Sequence, residues 1–297
     1  MGMGSSADML DRPEFIICGG CHIDRQLRLT APPQPGRTNP AQLSERLGGV
    51  ATNIAVQLAH QGAAVRLVGV QPADSLVAIQ TRLAAAGIEP WLAPLDGDPP
   101  SYTAFLAPDG ELIMGAATMD IYDTVSLSLI HSGIEAPMVP VILDANFPAD
   151  TISDIAAECA GTRPLLAAGT SVAKVTRLTA ALCYLDALVL NRDEAATLVG
   201  QMMPVDAMAR MIAARLSGGG VVLVSDGADM AALADQQMVV TARPPRIGLV
   251  NANGAGDVMA ARLFSDLVRQ PGTAPTDLLQ AALAAGAAYA AALEVEL

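Results

Sequence analysis

The chain has 297 residues, of which 52% are apolar, and this is enough for one large α/β domain with a substantial core. Its formal net charge of −13 argues against nucleic-acid binding, because phosphate contacts need clustered Lys and Arg. The N-terminal residues contain no apolar segment typical of a secretory signal. The most apolar stretch, 278–293, is mostly Ala and shorter than the about 20 residues that span a bilayer. We therefore expect a cytoplasmic protein without membrane contact, with residues 1–13 disordered.

Short β-prone runs and helical segments alternate along most of the chain. In chain order, the sequence predicts a buried strand at 15–18, an alternating strand at 23–30, a helix from about 51 to 61, a strand at 64–70 and a helix at 76–86. Further apolar runs, most of them followed by helix-like segments, lie at 139–146, 163–169, 185–191 and 220–227. Repeated strand–helix units predict a mostly parallel central sheet with helices on both faces.

Two segments do not fit this rhythm. Residues 23–30 alternate between apolar and polar side chains, and the Pro-rich stretch 31–40 cannot form regular structure. Residues 101–119 contain two β-prone runs around Pro108-Asp109-Gly110, which predicts a hairpin. We therefore expect a small separate sheet, built from segments at about 23–47 and 100–120 and inserted into a domain that spans 14–297.

Residues 18–22, Cys-Gly-Gly-Cys-His, match the pattern that attaches a c-type haem. Haem attachment needs an exported chain and a second axial ligand, and no pattern in the sequence places one. A zinc site is also disfavoured, because Cys159 and Cys183 are too far apart in sequence to form a second C-x-x-C pair. We interpret the segment as a buried strand that runs into a glycine turn.

Polar residues cluster where the predicted strands end. The set consists of Asp24, Asp144, Asn146, Asn191 and Ser225. In parallel sheets ligands bind beyond the carboxyl ends of the strands, so the set predicts a ligand site. Turn chemistry alone also favours Asn and Asp at such positions, and this is the alternative for each residue taken singly.

The stretch 250–268 predicts a glycine turn that opens a helix. Asn253-Gly254-Ala255-Gly256 suits neither a strand nor a helix, whereas the residues from Asp257 onward have helical spacing. The N–H groups and the positive dipole end of such a helix form an anion site. A dinucleotide-binding fingerprint is disfavoured, because Met259 stands where its third glycine would be and no strand follows.

Asp257 is unexpected in an anion site, because a carboxylate repels a bound phosphate. Its position is explained if it accepts a proton from an attacking hydroxyl while backbone amides stabilise a transferring phosphoryl group. The simpler alternative is that Asp257 only caps the helix.

The N-G-A-G-D segment and its helix resemble the signature of the ribokinase-like (PfkB) carbohydrate kinases, and the resemblance extends over nearly the whole chain from Glu14. Segments 19–24 and 48–53 resemble the two sugar-binding turns of the family. Segment 191–194 resembles its N-x-x-E motif, and segment 225–227 resembles its turn at the nucleotide phosphates. The resemblance implies a ribokinase-like fold whose small sheet is a lid over the sugar and forms the contact of a homodimer.

Four shorter segments together resemble the pseudouridine kinases within this family. They are PGRT at 35–38, TMDIYD at 118–123, LDANFP at 143–148 and SVAK at 171–174. This narrower resemblance implies a nucleoside-type C-glycoside as the substrate rather than a simple sugar.

The implied activity is an ATP-dependent phosphorylation of the 5′-hydroxyl of pseudouridine to pseudouridine 5′-phosphate. Carried over position by position, the resemblance implies Asp257 as the base with Gly254, Ala255 and Gly256 at the phosphoryl group, Glu194 at Mg²⁺, Asn191, Ser225, Gly227 and Asn253 at ATP, and Asp24, Gly48, Gly49, Asn53, Asp120, Asn146 and Lys174 at the substrate. No partner other than small molecules and a second copy of the chain is implied.

Two departures from the family pattern keep alternatives open. Asn251-Ala252 replace an Asp-Thr pair that helps to hold a monovalent cation, which makes a potassium site doubtful. Ala168-Gly169 replace an Asp-Pro pair before SVAK. The alternatives are the same chemistry on another sugar or nucleoside, and a relative that binds its ligand without catalysis.

Overall fold

The computed structural model describes residues 13–248 and 253–292. In chain order its elements are β1 (Phe15–Cys18), β2 (His22–Leu29), β3 (Ala41–Gly48), α1 (Val50–His60), β4 (Val65–Gln71), α2 (Ala73–Ala85), β5 (Ile88–Pro94), β6 (Ser101–Leu106), β7 (Leu112–Thr118), α3 (Leu127–Ile134), β8 (Val141–Leu143), α4 (Ala149–Cys159), β9 (Leu165–Ala168), β10 (Ala187–Asn191), α5 (Arg192–Val199), α6 (Val205–Ala213), β11 (Val221–Ser225), β12 (Ala231–Ala234), β13 (Val239–Ala242), α7 (Ala255–Arg269) and α8 (Pro275–Ala291). Short 3₁₀ helices lie at Asp120–Thr124, Val175–Leu178 and Leu182–Tyr184.

The larger sheet has the order β13-β12-β11-β10-β9-β8-β1-β4-β5 within these described ranges. All neighbours from β11 to β5 are parallel, and β12 and β13 add an antiparallel hairpin at one edge. The predicted mostly parallel sheet is therefore confirmed. The hairpin at its edge was not predicted, because two Ala- and Val-rich runs of four residues carry little periodic signal.

Helices cover both faces of this sheet because successive strand residues point to opposite sides. Phe15 and Ile17 pack in the core layer that contains α1, α2, α7 and α8. Ile16 and Cys18 pack in the opposite layer, beneath α3 to α6. All four side chains are fully buried, and burial of each large apolar side chain stabilises the fold by about 1.5–3 kcal/mol.

The strand order reverses at β1, which lies between β4 and β8. The chain after β1 and the chain after β8 therefore leave the sheet side by side at its carboxyl edge. This is the position at which open α/β sheets bind ligands.

The predicted separate sheet is also confirmed, with the order β3-β2-β6-β7. Strand β2 pairs antiparallel with β3 and parallel with β6, and β6 forms the predicted hairpin with β7. The turn is the predicted one, because Gly110 has φ 94° and its N–H donates to the Ala107 carbonyl at 2.9 Å.

The Ala-rich stretch near the C-terminus forms most of α8, whose Leu278, Leu279, Ala282 and Leu283 pack in the core. Across the described ranges, no helix is long and apolar enough to cross a membrane. The residues predicted to be disordered, 1–13, lie outside the described ranges apart from Pro13.

Candidate active site

Asp144, directly after β8, is a fully buried carboxylate that supports the first glycine turn. Its Oδ2 accepts hydrogen bonds from the Gly20 N–H at 2.9 Å and from the Ala51 N–H of α1 at 3.2 Å. A Cβ at Gly19 would lie 2.4 Å from the Asp144 carboxyl group. The absence of side chains in this turn therefore lets Asp144 join the ends of β1 and β8 to the start of α1.

The second glycine turn, Gly48-Gly49, joins β3 to α1 and lies against the first. A Cβ at Gly48 would lie 2.3 Å from the carboxyl carbon of Asp24. Gly49 has φ 103°, which favours glycine, and a Cβ there would lie 2.3 Å from the Gly20 carbonyl oxygen. Three residues predicted to bind substrate, Asp24, Gly48 and Gly49, are thus brought together at one turn.

The first turns of α1 and α7 meet at the predicted base. Asn53 Nδ2 donates to Asp257 Oδ2 at 2.7 Å. Gly254 begins α7 with φ 87°, and no side chain of the described residues caps this helix. The first N–H groups of a helix have no intrahelical acceptor, so those of Ala255 and Gly256 can bind an anion. No atom of the described residues lies within 4 Å of the position that a Cβ of Gly256 would take.

The carboxyl group of Asp257 is electrostatically unusual. Burial is the main cause that raises its pKa from 3.8 to about 7, and the hydrogen bond from Asn53 opposes this rise. The charges of Asp144, Glu194 and Asp24 raise the pKa further. A carboxyl group with a pKa near 7 can accept a proton effectively at neutral pH, which is the property expected of a general base.

Asp24 belongs to a small polar network at the base of the second sheet. Its Oδ1 lies 3.3 Å from His22 Nε2, and its Oδ2 lies 3.6 Å from Arg46 Nε. His22 Nδ1 in turn lies 3.4 Å from the hydroxyl of Tyr122, which is fully buried and donates to the Cys21 carbonyl at 2.7 Å. His22, to which the sequence analysis gave no role, thus positions a predicted substrate residue.

A second network contains Asn146 and Lys174. Asn146 Nδ2 donates to Asp144 Oδ2 at 2.7 Å, and Lys174 Nζ donates to Asn146 Oδ1 at 2.7 Å. Lys174 Nζ also lies 5.8 Å from the centre of the Tyr122 ring. Burial and the neighbouring Arg177 lower the pKa of Lys174, whereas Asp144 raises it.

Arg177 connects this network to the 3₁₀ helix Asp120–Thr124. Its Nη1 donates to the Asn146 carbonyl at 2.6 Å, and its Nη2 contacts Asp123 Oδ1 at 2.7 Å. Asp120 is exposed, and its charge favours the protonated form of Lys174 and so raises the pKa of that residue. The segments that contain Asp120, Asn146 and Lys174 are therefore in contact, although they are far apart in sequence.

The predicted nucleotide side lies at the ends of β10 and β11, where Asn191 is paired with Ser225. Asn191 and Glu194 form a reciprocal capping box on α5, with Glu194 Oε2 accepting from the Asn191 N–H at 3.0 Å. Glu194 is almost fully buried, and burial raises its pKa. Gly227 follows in a turn with φ 54°, and no atom in the described part of the chain lies within 4 Å of a Cβ built on it.

Gly169 is the neighbour that makes room for Glu194. A Cβ at Gly169 would lie 2.2 Å from Glu194 Oε2, and the Gly169 N–H donates to the Val189 carbonyl at 2.8 Å. A proline at this position would lack that N–H and would add the Cβ. The departure from the family pattern at position 169 therefore has a local structural reason.

Comparison with known proteins identifies the family of the chain. The profile of the pfkB family of carbohydrate kinases matches residues 15–294. The chain belongs to this family. A carbohydrate kinase from Agrobacterium tumefaciens is 28% identical to it, with a TM-score of 0.78 over 92% of this chain and 89% of that one. Ribokinase from Thermotoga maritima, at 19% identity, has a TM-score of 0.76 over 95% of this chain and 94% of its own.

Ribokinase from Cryptococcus neoformans, solved in complex with ADP, is 17% identical with a TM-score of 0.72 and covers 94% of both chains. The ribokinase-like fold is thus shared with proteins of low identity. No curated protein sequence matches the chain. Membership of the pfkB family makes the chain a carbohydrate kinase, which is a phosphotransferase that acts on an alcohol group.

The Cys18–His22 segment serves as a strand and turn in this pfkB kinase. Cys18 and Cys21 are fully buried, and burial raises the pKa of Cys21 to about 12, so its thiol stays protonated. Within the described part of the chain, no three His, Cys, Asp or Glu residues are grouped so that they could hold a metal ion alone.

The roles of Asp144 and His22 were not predicted from the sequence, and neither was the significance of the lysine count. Asp144 was noted only as a polar strand end, yet it supports both glycine turns and Asn146. The chain has 17 Lys and Arg residues, of which 16 are Arg and only Lys174 is Lys. Asn251 and Ala252, on which the doubt about a potassium site rests, lie outside the described residues.

Proposed function

We propose that this kinase transfers the γ-phosphoryl group of ATP to the 5′-hydroxyl of pseudouridine. The observation that carries the proposal is Asp257, a carboxyl group with a raised pKa at the start of α7, whose N-cap residue, Gly254, has no side chain that could cap the helix. Asn53 connects it to α1 and thereby to the turn that holds Asp24. An acceptor bound at that turn would present a hydroxyl to Asp257 and a phosphoryl group to the α7 cradle.

Asp257, Ala255 and Gly256 each have a role in the proposed transfer of the γ-phosphoryl group. Asp257 accepts the proton of the 5′-hydroxyl as its oxygen attacks the γ-phosphorus, and the bond from that phosphorus to the bridging oxygen of ADP breaks. The N–H groups of Ala255 and Gly256 stabilise the negative charge of the group in transit. The other predicted ATP contacts, Asn191, Ser225, Gly227 and Asn253, remain part of the proposal.

A nucleoside rather than a free sugar is supported by the contacts among three segments. Lys174 and Arg177 both bind Asn146, and Arg177 also binds Asp123 beside Tyr122. Asn146 lies against the first glycine turn, since its Nδ2 is 2.4 Å from the position that a Cβ of Gly20 would take. The proposal places the base of the nucleoside against these polar groups. Asn146 Oδ1 already accepts from Lys174, so exposed Asp120 is the better candidate acceptor for the additional N–H of pseudouridine.

A substrate panel tests the proposal. At saturating MgATP, we expect kcat/KM for pseudouridine to exceed that for uridine, adenosine and ribose, because ribose forfeits base contacts and uridine lacks the N–H. Loss of one required hydrogen bond at a well-built site can cost about 10⁴-fold or more. A tenfold preference for ribose would refute the nucleoside assignment, and a tenfold preference for adenosine or uridine would refute the pseudouridine assignment. Either result would leave the kinase assignment intact. If none of the four is phosphorylated and no ATP is consumed, the non-catalytic alternative is favoured.

Mg²⁺ is proposed as the metal, with Glu194 as the protein group nearest to it. Mg²⁺ is usually held by one or two carboxylates, water and substrate phosphates, so a single carboxylate at a strand end fits its needs. The bound ion would neutralise charge on the ATP phosphates. The capping box orients Glu194, and Gly169 leaves space for its carboxylate.

Glu194→Gln is expected to raise the Mg²⁺ concentration needed for half-maximal activity, because the substitution removes a charged oxygen that a hard cation prefers. Gln can keep the capping box, so the melting temperature should change little. Asp193→Asn is the matched control, since Asp193 is the adjacent but exposed carboxylate. Identical Mg²⁺ titrations for wild type and Glu194→Gln would contradict the role.

The second sheet is proposed as a lid and as the contact of a homodimer. Strand β7 is exposed along its length, including Leu112, Ile113 and Met114, and Leu43 of β3 is also exposed. An exposed apolar sheet face of this kind supports a contact with a second copy of the chain.

A further inference from the structure

Lys174 is chemically unique in this protein. It is the single lysine among 297 residues, and the other 16 basic side chains are all arginine. Lysine presents a compact point charge, whereas arginine presents a planar fork of donors. A chain that otherwise uses arginine throughout has its single side-chain ammonium group beside Asn146 and Tyr122.

A buried chain of hydrogen bonds fixes this ammonium group. Asp144 Oδ2 accepts from Asn146 Nδ2, and Asn146 Oδ1 accepts from Lys174 Nζ, each at 2.7 Å. The Asn146 backbone N–H also donates to Asp144 Oδ1 at 2.8 Å. Donors and acceptors at both ends determine the orientation of the amide, because a flipped amide would face an ammonium with its NH₂ group.

We infer that Asp144 is a positioning residue, which acts through Asn146 to fix the place and the protonation of Lys174. The same carboxylate holds Gly20 and Ala51, so Lys174 is kept in register with the glycine turns of the acceptor site. The ligand class that suits a fixed ammonium group is an acceptor-rich one, such as a nucleobase with ring carbonyls. This ligand class, and the use of pseudouridine as the acceptor in measurements of kcat/KM, rest on the proposed function.

Several charges act on Lys174. Of the three carboxylates near it, Asp144, Asp123 and Asp120, only Asp144 is buried. Arg177, on the following 3₁₀ helix, disfavours the ammonium form, as does burial. Asp123 and Asp120, from the facing 3₁₀ helix, and Asp144, from the end of β8, favour it. Because Asp123 is already paired with Arg177 and Asp120 is exposed to water, we expect Asp144 to have the greatest influence.

The single lysine allows a direct test that does not depend on turnover. Protein labelled with ε-¹³C-lysine gives one side-chain signal, whose pH titration reports the pKa of Lys174 alone. We expect this pKa to lie below the ordinary lysine value in wild type and to fall further in Asp144→Asn, because the variant loses a buried negative charge. We also expect kcat/KM for pseudouridine to fall by about tenfold or more, the worth of a hydrogen bond to a charged group.

Asp186→Asn is the matched control. Asp186 also accepts two hydrogen bonds, from the Leu165 N–H at 2.9 Å and from the Ser217 hydroxyl, but it is exposed and precedes β10, at the amino-terminal ends of the parallel strands. The control should therefore leave the titration of Lys174 unchanged. An unchanged titration in Asp144→Asn as well would overturn the inference and leave Asp144 a purely structural residue.

A second variant keeps the test decisive if Asp144→Asn does not fold. Asn146→Ala interrupts the chain of hydrogen bonds but retains the contacts of Asp144 with Gly20 and Ala51. We expect it to lower the pKa of Lys174, since the ammonium loses its acceptor. A wild-type titration in a folded Asn146→Ala variant would overturn the inference. The titration is also informative if pseudouridine is not the substrate, so the two proposals fail separately.

Discussion

Asp257→Asn is expected to lower kcat by about 10²–10⁴-fold, the usual contribution of a general base. The amide cannot accept the proton of the acceptor hydroxyl, but its oxygen can still accept the hydrogen bond from Asn53. The fold and the binding of ATP should therefore persist. The measurement is kcat at saturating MgATP and acceptor, together with the Kd for ATP.

Asp266→Asn is the control for this variant. Asp266 is a buried carboxylate on the same helix, and Arg262 donates to it at 2.7 Å. Its loss should cost some stability and leave kcat near wild type. If Asp257→Asn turns over like the Asp266→Asn control, Asp257 is a helix-capping residue and the proposed mechanism is wrong.

The raised pKa of Asp257 also predicts a pH profile. The base acts in its ionised form, so kcat/KM should rise with pH up to about 7 and then level off. The profile of kcat/KM reports the free enzyme, which is the state that the structure represents. The residual activity of Asp257→Asn should lack this acidic limb.

The free energy of unfolding should change with pH in the direction opposite to kcat/KM. The folded protein binds the Asp257 proton more tightly than the unfolded chain does, so between pH 3.8 and about 7 the free energy of unfolding falls as pH rises. At pH 8 this cost is at most about 4 kcal/mol, reduced by solvent screening at a half-buried residue. Asp257→Asn should therefore melt at a higher temperature than wild type at pH 8, and the difference should shrink at pH 5. Such a gain in stability with a loss of activity is expected where a functional site stores unfavourable charge.

The fold was predictable largely because its strands are continuous apolar runs or alternate clearly. The runs at 139–146, 163–169, 185–191 and 220–227 each contain one strand of the parallel sheet. Which strands pair with each other was less predictable. The parallel contact between β2 and β6 joins segments separated by more than 70 residues, and no local pattern specifies it.

The candidate site was predictable where it consists of local turns. Gly254 and Gly49 both have the positive φ that a turn before a helix requires. Asp144 was not recognisable, because two of its four hydrogen bonds come from Gly20 and Ala51, which are 124 and 93 residues away in sequence. The raised pKa of Asp257 was hidden for the same reason, since its causes are burial and carboxylates on other elements.

Gly48 and Gly49 were both predicted to bind substrate, but the structure predicts different outcomes for their replacement. A Cβ at Gly48 meets the carboxyl end of a side chain, Asp24, which can move. A Cβ at Gly49 meets the Gly20 carbonyl oxygen, which belongs to the backbone and is fixed by the turn that Asp144 supports. The first substitution should displace a binding group, whereas the second should disrupt the packing of two turns.

For Gly48→Ala, we expect the KM for the acceptor to rise by about tenfold or more while the KM for ATP changes little. The physical reason is that Asp24 must leave its place beside His22 and Arg46, and a hydrogen bond from a sugar hydroxyl to a charged carboxylate is worth about 1.5–3 kcal/mol. The variant should remain folded. Parallel rises in both KM values would contradict the assignment of Asp24 to the acceptor.

For Gly49→Ala, we expect a loss of several kcal/mol in the free energy of unfolding, because a strained positive φ costs about 1–3 kcal/mol and overpacking costs about 1–3 kcal/mol or more. This is a large share of the about 5–15 kcal/mol that stabilises a typical domain. Gly62→Ala is the control. Gly62 follows α1 with φ 80°, and no atom of residues 13–248 and 253–292 lies within 4 Å of a Cβ built there, so this variant reports the cost of a positive φ without a close contact. Thermal and urea denaturation of the three variants should place Gly49→Ala well below Gly62→Ala, with Gly48→Ala nearest to wild type. Equal losses at positions 49 and 62 would show that the contact with Gly20 is not what requires glycine at position 49.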